Sequence, residues 1–435
     1  MKRLLTRLNK NLLLKVAGYN SIHVGIRIVI GLFMTQIISR FVGAAGMAVM
    51  GNLRDFTQGV CRFAVLGLDN GLVKNAAELK GSRDRLKKTF NTAWCLSLVA
   101  SILIGAFCAV YASWLDDTLI ASEVSYDGVF RILGISLPFH AVFIILSSLM
   151  QGNEWYRRFI TLNICASLAL FAVSAYLIYN YNLLGALYGM VVVPFIQSLL
   201  AIGFWLKQDH QESLRLTQIF NIDFDALIAK PLLKYSIMAL ASAVMLPAAY
   251  IFIRKQVMLE VSDEAAGWWE AVSRISNYYM MFVTSLIGLY VLPSLSKDSS
   301  IRNYRSTITH FYKNILPIVI LGLVSIFLCK ELIIQLLFTA EFSGAVPLFK
   351  WQLAGDLIKI VTTVMAFRFI AQNQLKKYLI AEIASVGFFV IISYLIIPIY
   401  QEEGVVIAYF LNYVFYVLVL ISLLRKELFS KISIE

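Results

Sequence analysis

The chain has 435 residues, 59% of them hydrophobic and 15% charged, with a mean hydropathy of +0.75. Soluble globular chains run at about 45–50% apolar and about 25% charged residues, so this composition excludes a soluble domain and leaves a polytopic membrane protein. The net charge of +12 does not point to nucleic acid, because most basic residues fall in short breaks between apolar runs, where they serve as topology signals.

A helix crossing about 30 Å of hydrocarbon takes about 20 residues. By that measure the chain reads as about twelve spans, at 12–39, 46–73, 90–112, 129–150, 159–179, 183–206, 235–253, 268–295, 314–337, 348–371, 378–399 and 404–424. The basic start, MKRLLTRLNK, precedes a long apolar run with no A-x-A cleavage site, so it reads as a retained first helix rather than a cleaved leader. The breaks alternate in charge. One set carries Lys10 and Lys15, then Lys74, Lys80 and Arg83, then Arg157 and Arg158, Lys207 and Lys234, Lys297 and Arg302, Lys376 and Lys377, and Arg425 and Lys431. The other carries Asp116, Asp117 and Glu123, then Glu260, Asp263 and Glu264, then Glu402 and Glu403. The positive-inside rule then places both termini in the cytoplasm.

The longest break separates a six-helix bundle at 1–206, a cytoplasmic linker at 207–234 and a second six-helix bundle at 235–435. A weak repeat supports this division. Ala44-Ala45-Gly46 and Ala265-Ala266-Gly267 are each followed 21 residues later by Gly-Leu, and Arg54 and Arg274 lie at similar offsets. Both halves start on the same side, which predicts a parallel repeat about an axis along the membrane normal. The fold class is therefore an all-α membrane protein of about twelve transmembrane helices in two pseudo-symmetric bundles.

Polar residues recur at helical spacing inside several spans. Asn20, His23 and Arg27 share a face of the first, Arg54, Gln58 and Arg62 a face of the second, with Asp55 and Asp69 nearby. The eighth carries Glu270, Arg274, Asn277 and Tyr278; the tenth carries Gln352, Asp356, Lys359 and Thr363. An arginine at mid-membrane costs about 2.5–3.5 kcal/mol on insertion scales, so Arg27, Arg54, Arg62 and Arg274 should face protein, water or an anion. Asp55 and Glu270 offset only some of them, which predicts a cationic, wet central cavity suited to phosphate oxygens. Asp55, Asp356 and Glu382 are candidate proton or cation sites, and Asp356 could equally be a static partner of Lys359. Arg131, Lys350 and Arg368 lie near span ends and are expected to snorkel to the interface. Trp268, Trp269, Tyr278 and Tyr279 read as packing or interface aromatics. Pro247, mid-span, is the best hinge candidate, with a plain kink as the alternative. The cysteines sit inside apolar runs without C-x-x-C spacing and read as buried thiols, with no metal site.

The stretches Leu246-Pro247-Ala-Ala-Tyr250…Arg254-Lys255, Gly267-Trp268, Val272-Ser273-Arg274-Ile275-Ser276 and Leu292-Pro293-Ser294-Leu295-Ser296 closely resemble the lipid III and O-antigen flippases. Those proteins turn over undecaprenyl-diphosphate-linked oligosaccharides and belong to the multidrug/oligosaccharidyl-lipid/polysaccharide exporter superfamily. Further matches are Gly43-Ala-Ala-Gly46 with Asn52-Leu-Arg54, Asn70-Gly71…Lys74, Trp351-Gln352-Leu353…Gly355-Asp356…Lys359 and Ala381-Glu382. Arg54, Arg254, Lys255, Asp356, Lys359 and Glu382 fall on the pattern; Arg27, Arg62, Arg274 and Glu270 rest on the physical argument. The resemblance implies alternating access around the cationic cavity, with the first and eighth helices flanking a lateral opening for the lipid tail. It implies the bacterial inner membrane, membrane lipids and a polysaccharide polymerase with chain-length machinery as partners, a monomer, and no cofactor. A multidrug exporter of the same fold is the alternative, although a cavity rich in arginine has the wrong sign for cationic drugs. A polymerase or ligase would need a sizeable outward catalytic segment, and every outward break is short. No G-x-x-x-x-G-K-[ST] motif supplies an ATP motor.

Overall fold

A computed structural model describes residues 2–79, 81–120, 124–207, 214–298, 300–372 and 374–429, without the side chains at 2–21, 70, 234–239, 241–243, 289 and 292. The expectations for Lys10, Lys15, Asn20, Asn70, Lys80, Glu123, Lys234, Leu292 and Lys431 therefore lie outside the described residues. In chain order the helices are α1 (Lys2–Phe41), α2 (Gly43–Ala64), α3 (Asp69–Glu78), α4 (Arg83–Val110), α5 (Ala112–Leu119), α6 (Asp127–Gly152), α7 (Tyr156–Val191), α8 (Val193–Leu206) and α9 (Leu216–Ile219). There follow α10 (Ala226–Glu260), α11 (Asp263–Lys297), α12 (Ile301–Asn314), α13 (Leu316–Leu328), α14 (Lys330–Leu337), α15 (Phe349–Ala371), α16 (Leu375–Tyr400), α17 (Gly404–Leu423) and α18 (Arg425–Phe429). No strand occurs among the described residues.

Every expected span has a helical counterpart. The break between the fifth and sixth falls at Asn182, whose backbone (φ 49°, ψ −126°) bends α7. Among the described residues seven segments are long and apolar enough to cross a membrane by length and composition alone. α2 and α15 are not among them, because their polar stripes lower their hydropathy. The second span ends earlier than its hydrophobicity suggests, since Leu66 and Gly67 adopt positive φ and turn the chain into α3. Conversely, the basic break after Lys297 is not a loop. It forms α12, capped by Ser300 Oγ accepting from the Asn303 amide at 3.1 Å, with Tyr304, Thr307, Ile308 and Phe311 on its buried face.

By contacts the chain divides into two units, Met1–Ile37 with Asn52–Pro247, and Ile38–Gly51 with Ala248–Glu435. The division falls at Pro247 inside α10 and not in the 207–234 break. One reason is that residues 214–225 are fastened to the first unit. Trp205 Nε1 donates to the Leu214 carbonyl at 3.2 Å, Ile219 is buried, and the Asp225 amide donates to Thr92 Oγ1 at 3.1 Å.

In the first unit α4 and α6 pack closely through small residues. A Cβ on either Gly105 or Gly134 would lie 2.4 Å from the other's carbonyl oxygen, so only glycine allows this approach. Close backbone contact of this kind holds helices together in lipid, where burial from water no longer drives association. In the second unit α15, α16 and α17 pack together, and α11 lies against α15. The cysteines are all unbridged, and Cys329 is exposed where a buried thiol was expected, because it sits at the junction of α13 and α14 and points out of the bundle.

Gly105→Val should lower the thermal unfolding midpoint of the detergent-purified protein, at a cost of about 1–3 kcal/mol for overpacking. Gly203→Ala, with open space around its Cβ position, should leave the midpoint unchanged or raise it slightly.

Candidate functional site

Charge in the second unit gathers around two carboxylates. Glu270, near the start of α11, is fully buried. Its Oε2 accepts from Arg254 Nη2 at 3.1 Å and its Oε1 from Arg274 Nε at 3.0 Å. Arg274 reaches it because i and i+4 share a helix face; Arg254 comes from α10. Arg254 is also buried, with its guanidinium over the Trp269 ring at 5.5 Å, and Trp269 stacks on Tyr250. Two guanidiniums thus bond to this one carboxylate. Arg274 is the member with access to the outside, its side chain being 12% exposed against 2% for Arg254.

The start of α2 closes over this centre within the same unit. A Cβ on Gly51 would lie 2.8 Å from Arg254 Cζ, Arg254 Nε and Glu270 Oε2. A Cβ on Gly267 would lie 2.0 Å from the Ala44 carbonyl oxygen. The two small-residue motifs that repeat in the sequence therefore meet each other. Around them Ser39 Oγ donates to the Leu337 carbonyl at 3.1 Å, and Trp268 Nε1 to that of Glu341 at 2.7 Å.

Asp356 on α15 is the second carboxylate, also fully buried. Ser276 Oγ donates to it at 2.6 Å and Tyr409 OH at 2.7 Å; the Tyr279 hydroxyl donates as well, and Gln352 Nε2 lies 3.4 Å away. Neutral donors from α11, α15 and α17 thus replace its water. Lys359 does not pair with it, which corrects the static-pair expectation: the ammonium lies over the Tyr409 and Tyr413 rings, 5.7 Å from each centroid. An i, i+3 spacing allows such a pair but does not impose it, and the hydroxyls have taken the carboxylate's oxygens. Glu382 on α16 accepts from Tyr416 OH at 2.9 Å.

In the first unit Arg54 donates through Nη2 and Nε to Asp55 Oδ1 at 3.0 and 3.2 Å, and Arg62 pairs with Asp69. Gln58 and Arg62 are exposed on the face that Arg54 shares, and Arg27 is exposed with half-buried His23 nearby. The picture of uncompensated arginines is thus corrected for Arg54 and Arg62, each of which has a carboxylate, while Arg254 and Arg274 both bond to Glu270. Lys255 is half-buried. Arg368 does not snorkel; it is buried, with its guanidinium over the Tyr304 ring at 5.1 Å. Arg131 behaves as expected at a span end, exposed and paired with Asp127 at 2.6 Å. Tyr279 is more than a packing aromatic, and Tyr409, Tyr413 and Tyr416 were not singled out from the sequence, although their i, i+4, i+7 spacing on α17 marks a polar face. Among the described residues no cluster of three or more His, Cys, Asp or Glu could hold a metal ion.

A model of the polysaccharide biosynthesis protein family matches residues 37–347. The chain belongs to that family. Within the polysaccharide biosynthesis proteins it is 26% identical, over 393 residues, to the lipid III flippase of Escherichia coli (strain K12), covering 90% of this chain and 93% of that one. Its fold is shared with a multidrug resistance MATE family transporter of the MOP superfamily solved facing inward (TM-score 0.76, 15% identity, covering 93% of this chain and 98% of that one). The lipid II flippase MurJ in an inward closed conformation gives a TM-score of 0.73 at 15% identity, covering 93% of this chain and 87% of that one. At those identities the structures establish the fold, that of a multi-pass membrane protein.

Glu270→Ala removes the carboxylate to which Arg254 and Arg274 both bond. Breaking a buried pair by removing one partner costs about 3–5 kcal/mol, so the thermal midpoint of this variant should fall well below those of Arg274→Ala and the parent protein.

Proposed function

We propose that this protein carries an undecaprenyl-diphosphate-linked oligosaccharide, such as lipid III or an O-antigen repeat unit, from the cytoplasmic to the outer leaflet of the bacterial inner membrane. It is a membrane transporter rather than an enzyme. The observation that carries the substrate is the 26% identity to a lipid III flippase sustained over 90% of the chain. The chemistry agrees: a diphosphate cannot enter hydrocarbon bare, and guanidinium forks match its oxygens. Arg274, Arg54, Arg27, Arg62, Lys255 and Lys359 are the groups proposed to meet the head group. Arg254 acts at one remove, holding Glu270 and through it Arg274. Both termini lie in the cytoplasm in this reading, a monomer suffices, and a polymerase with chain-length machinery consumes the product.

Coupling to an ion gradient is the finer part of the proposal. Asp356 is its best candidate, since it has oxygen donors and no cationic partner within ion-pair distance among the described residues. Asp55 and Glu382 each have a partner that a proton would displace.

The transport reading is tested with the purified protein in vesicles whose inner leaflet holds undecaprenyl-diphosphate-linked oligosaccharide, following its exposure to an impermeant glycosidase. The protein should expose it, Arg274→Ala should slow exposure at least tenfold, and Arg274→Lys should fall between them because charge survives while the fork is lost. Equal rates in empty vesicles and with the protein would overturn the proposal. Asp356→Asn should make the rate indifferent to an imposed proton or sodium gradient; a gradient response that survives it would remove Asp356 from coupling.

A further inference from the structure

The stretch from Leu214 to Leu227 is fastened to the first unit on one face and bare on the other. On the fastened face Ile219 is fully buried, the Phe220 ring meets Trp94 edge to face with centroids 4.8 Å apart, and the Asp225 amide donates to Thr92 Oγ1 at 3.1 Å. Asp225 Oδ1 in turn accepts from the Leu227 amide at 2.9 Å and caps α10. Beyond this seam three large apolar side chains stand out, Ile222 at 79% exposure, Phe224 at 54% and Leu227 at 86%. Leu103 and Val110 on the membrane-spanning α4 show the same degree of exposure, at 65% and 77%. We infer that Ile222, Phe224 and Leu227 form a finger that enters the bilayer on the linker's side, and that the exposed basic residues around it take anionic lipid headgroups.

The seam sets the depth. Thr92 and Trp94 lie at the start of the expected span at 90–112, about 3 and 6 Å in at the helical rise. The finger anchored to them is therefore level with the boundary between headgroups and hydrocarbon. In water its apolar surface would stay exposed, whereas at that boundary acyl chains cover it. The surrounding charge matches a lipid surface. Lys88 lies one turn before Thr92, Arg215 precedes α9, Lys230 lies one turn into α10, and all three are exposed. Arg83, also exposed, reaches Gln218 of α9 at 3.5 Å. Asp84 and Asp223 are the exposed acids beside them, while Asp225 is occupied in capping α10. Basic side chains beside an inserted apolar group are attracted to an anionic leaflet. In the proposed topology this leaflet is the cytoplasmic one, and the inference does not depend on which substrate is carried.

The test places full-length protein in lipid nanodiscs of phosphatidylethanolamine with a minor share of acyl-brominated lipid, either phosphatidylglycerol or phosphatidylcholine. Tryptophan emission is compared between the parent protein and Phe224→Trp. The added emission of Phe224→Trp should be quenched by brominated lipid as strongly as that of Leu103→Trp and little by aqueous acrylamide; Asp84→Trp should show the opposite pattern. Quenching at 224 should be roughly twofold or more stronger with brominated phosphatidylglycerol than with brominated phosphatidylcholine at equal content. Ile222→Trp repeats the measurement at a second position, so that a fault in one variant does not decide the outcome. Emission at 222 and 224 quenched by acrylamide and not by brominated lipid would overturn the insertion and leave the finger facing water or a protein partner. Equal quenching by the two brominated lipids would overturn the role of the basic residues.

Discussion

A carboxylate buried inside an apolar bundle has to be solvated by the protein itself, and the second unit meets that demand in two opposite ways. Glu270 is solvated by charge, with a guanidinium on each oxygen. Asp356 is solvated by neutral hydroxyls, with the nearby lysine resting on aromatic faces instead of on the carboxylate. The consequences differ. An ion triad fixes its neighbours, so Glu270 acts as the joint between α10, α11 and the glycine start of α2. At Asp356 the hydroxyls instead tie α11, α15 and α17 together.

The spans were legible because hydrophobic length and the alternation of basic and acidic breaks are imposed by the bilayer, whatever the tertiary packing. Even the bend at Asn182 shows as a polar interruption. α12 was not legible as a helix, since its sequence is polar and basic and its periodicity shows only against the residues it covers. The end of α2 was misplaced for a different reason. A turn at Leu66 and Gly67 is a backbone event inside an apolar run, and hydropathy is blind to it.

Charge was legible as to position and less so as to partner. Arg274 and Glu270 follow from i, i+4 spacing, and Arg54 with Asp55 from adjacency. The bond from Arg254 to Glu270 depends on α10 lying beside α11, and that from Tyr409 to Asp356 on α17 lying beside α15; neither sequence separation carries a local signal. Arg368 shows the same limit: its place near a span end suggests an exposed tip, and the packing of α12 over α15 encloses it instead. The short repeat around Gly46 and Gly267 gained meaning only from the structure, where Gly267, having no Cβ, lets its helix approach the Ala44 carbonyl.

Family membership and the 26% identity to a lipid III flippase are what support the proposed transport of an anionic, lipid-linked glycan. The most direct measurement is made on cells from which the chain has been removed, using mass spectrometry to identify the undecaprenyl-linked species that accumulate and impermeant glycosidase to assign their leaflet. The account predicts an undecaprenyl-diphosphate-linked oligosaccharide retained on the cytoplasmic leaflet and restored to the outer one when the chain is supplied again. An unchanged pool of lipid-linked glycans with normal leaflet exposure would contradict it.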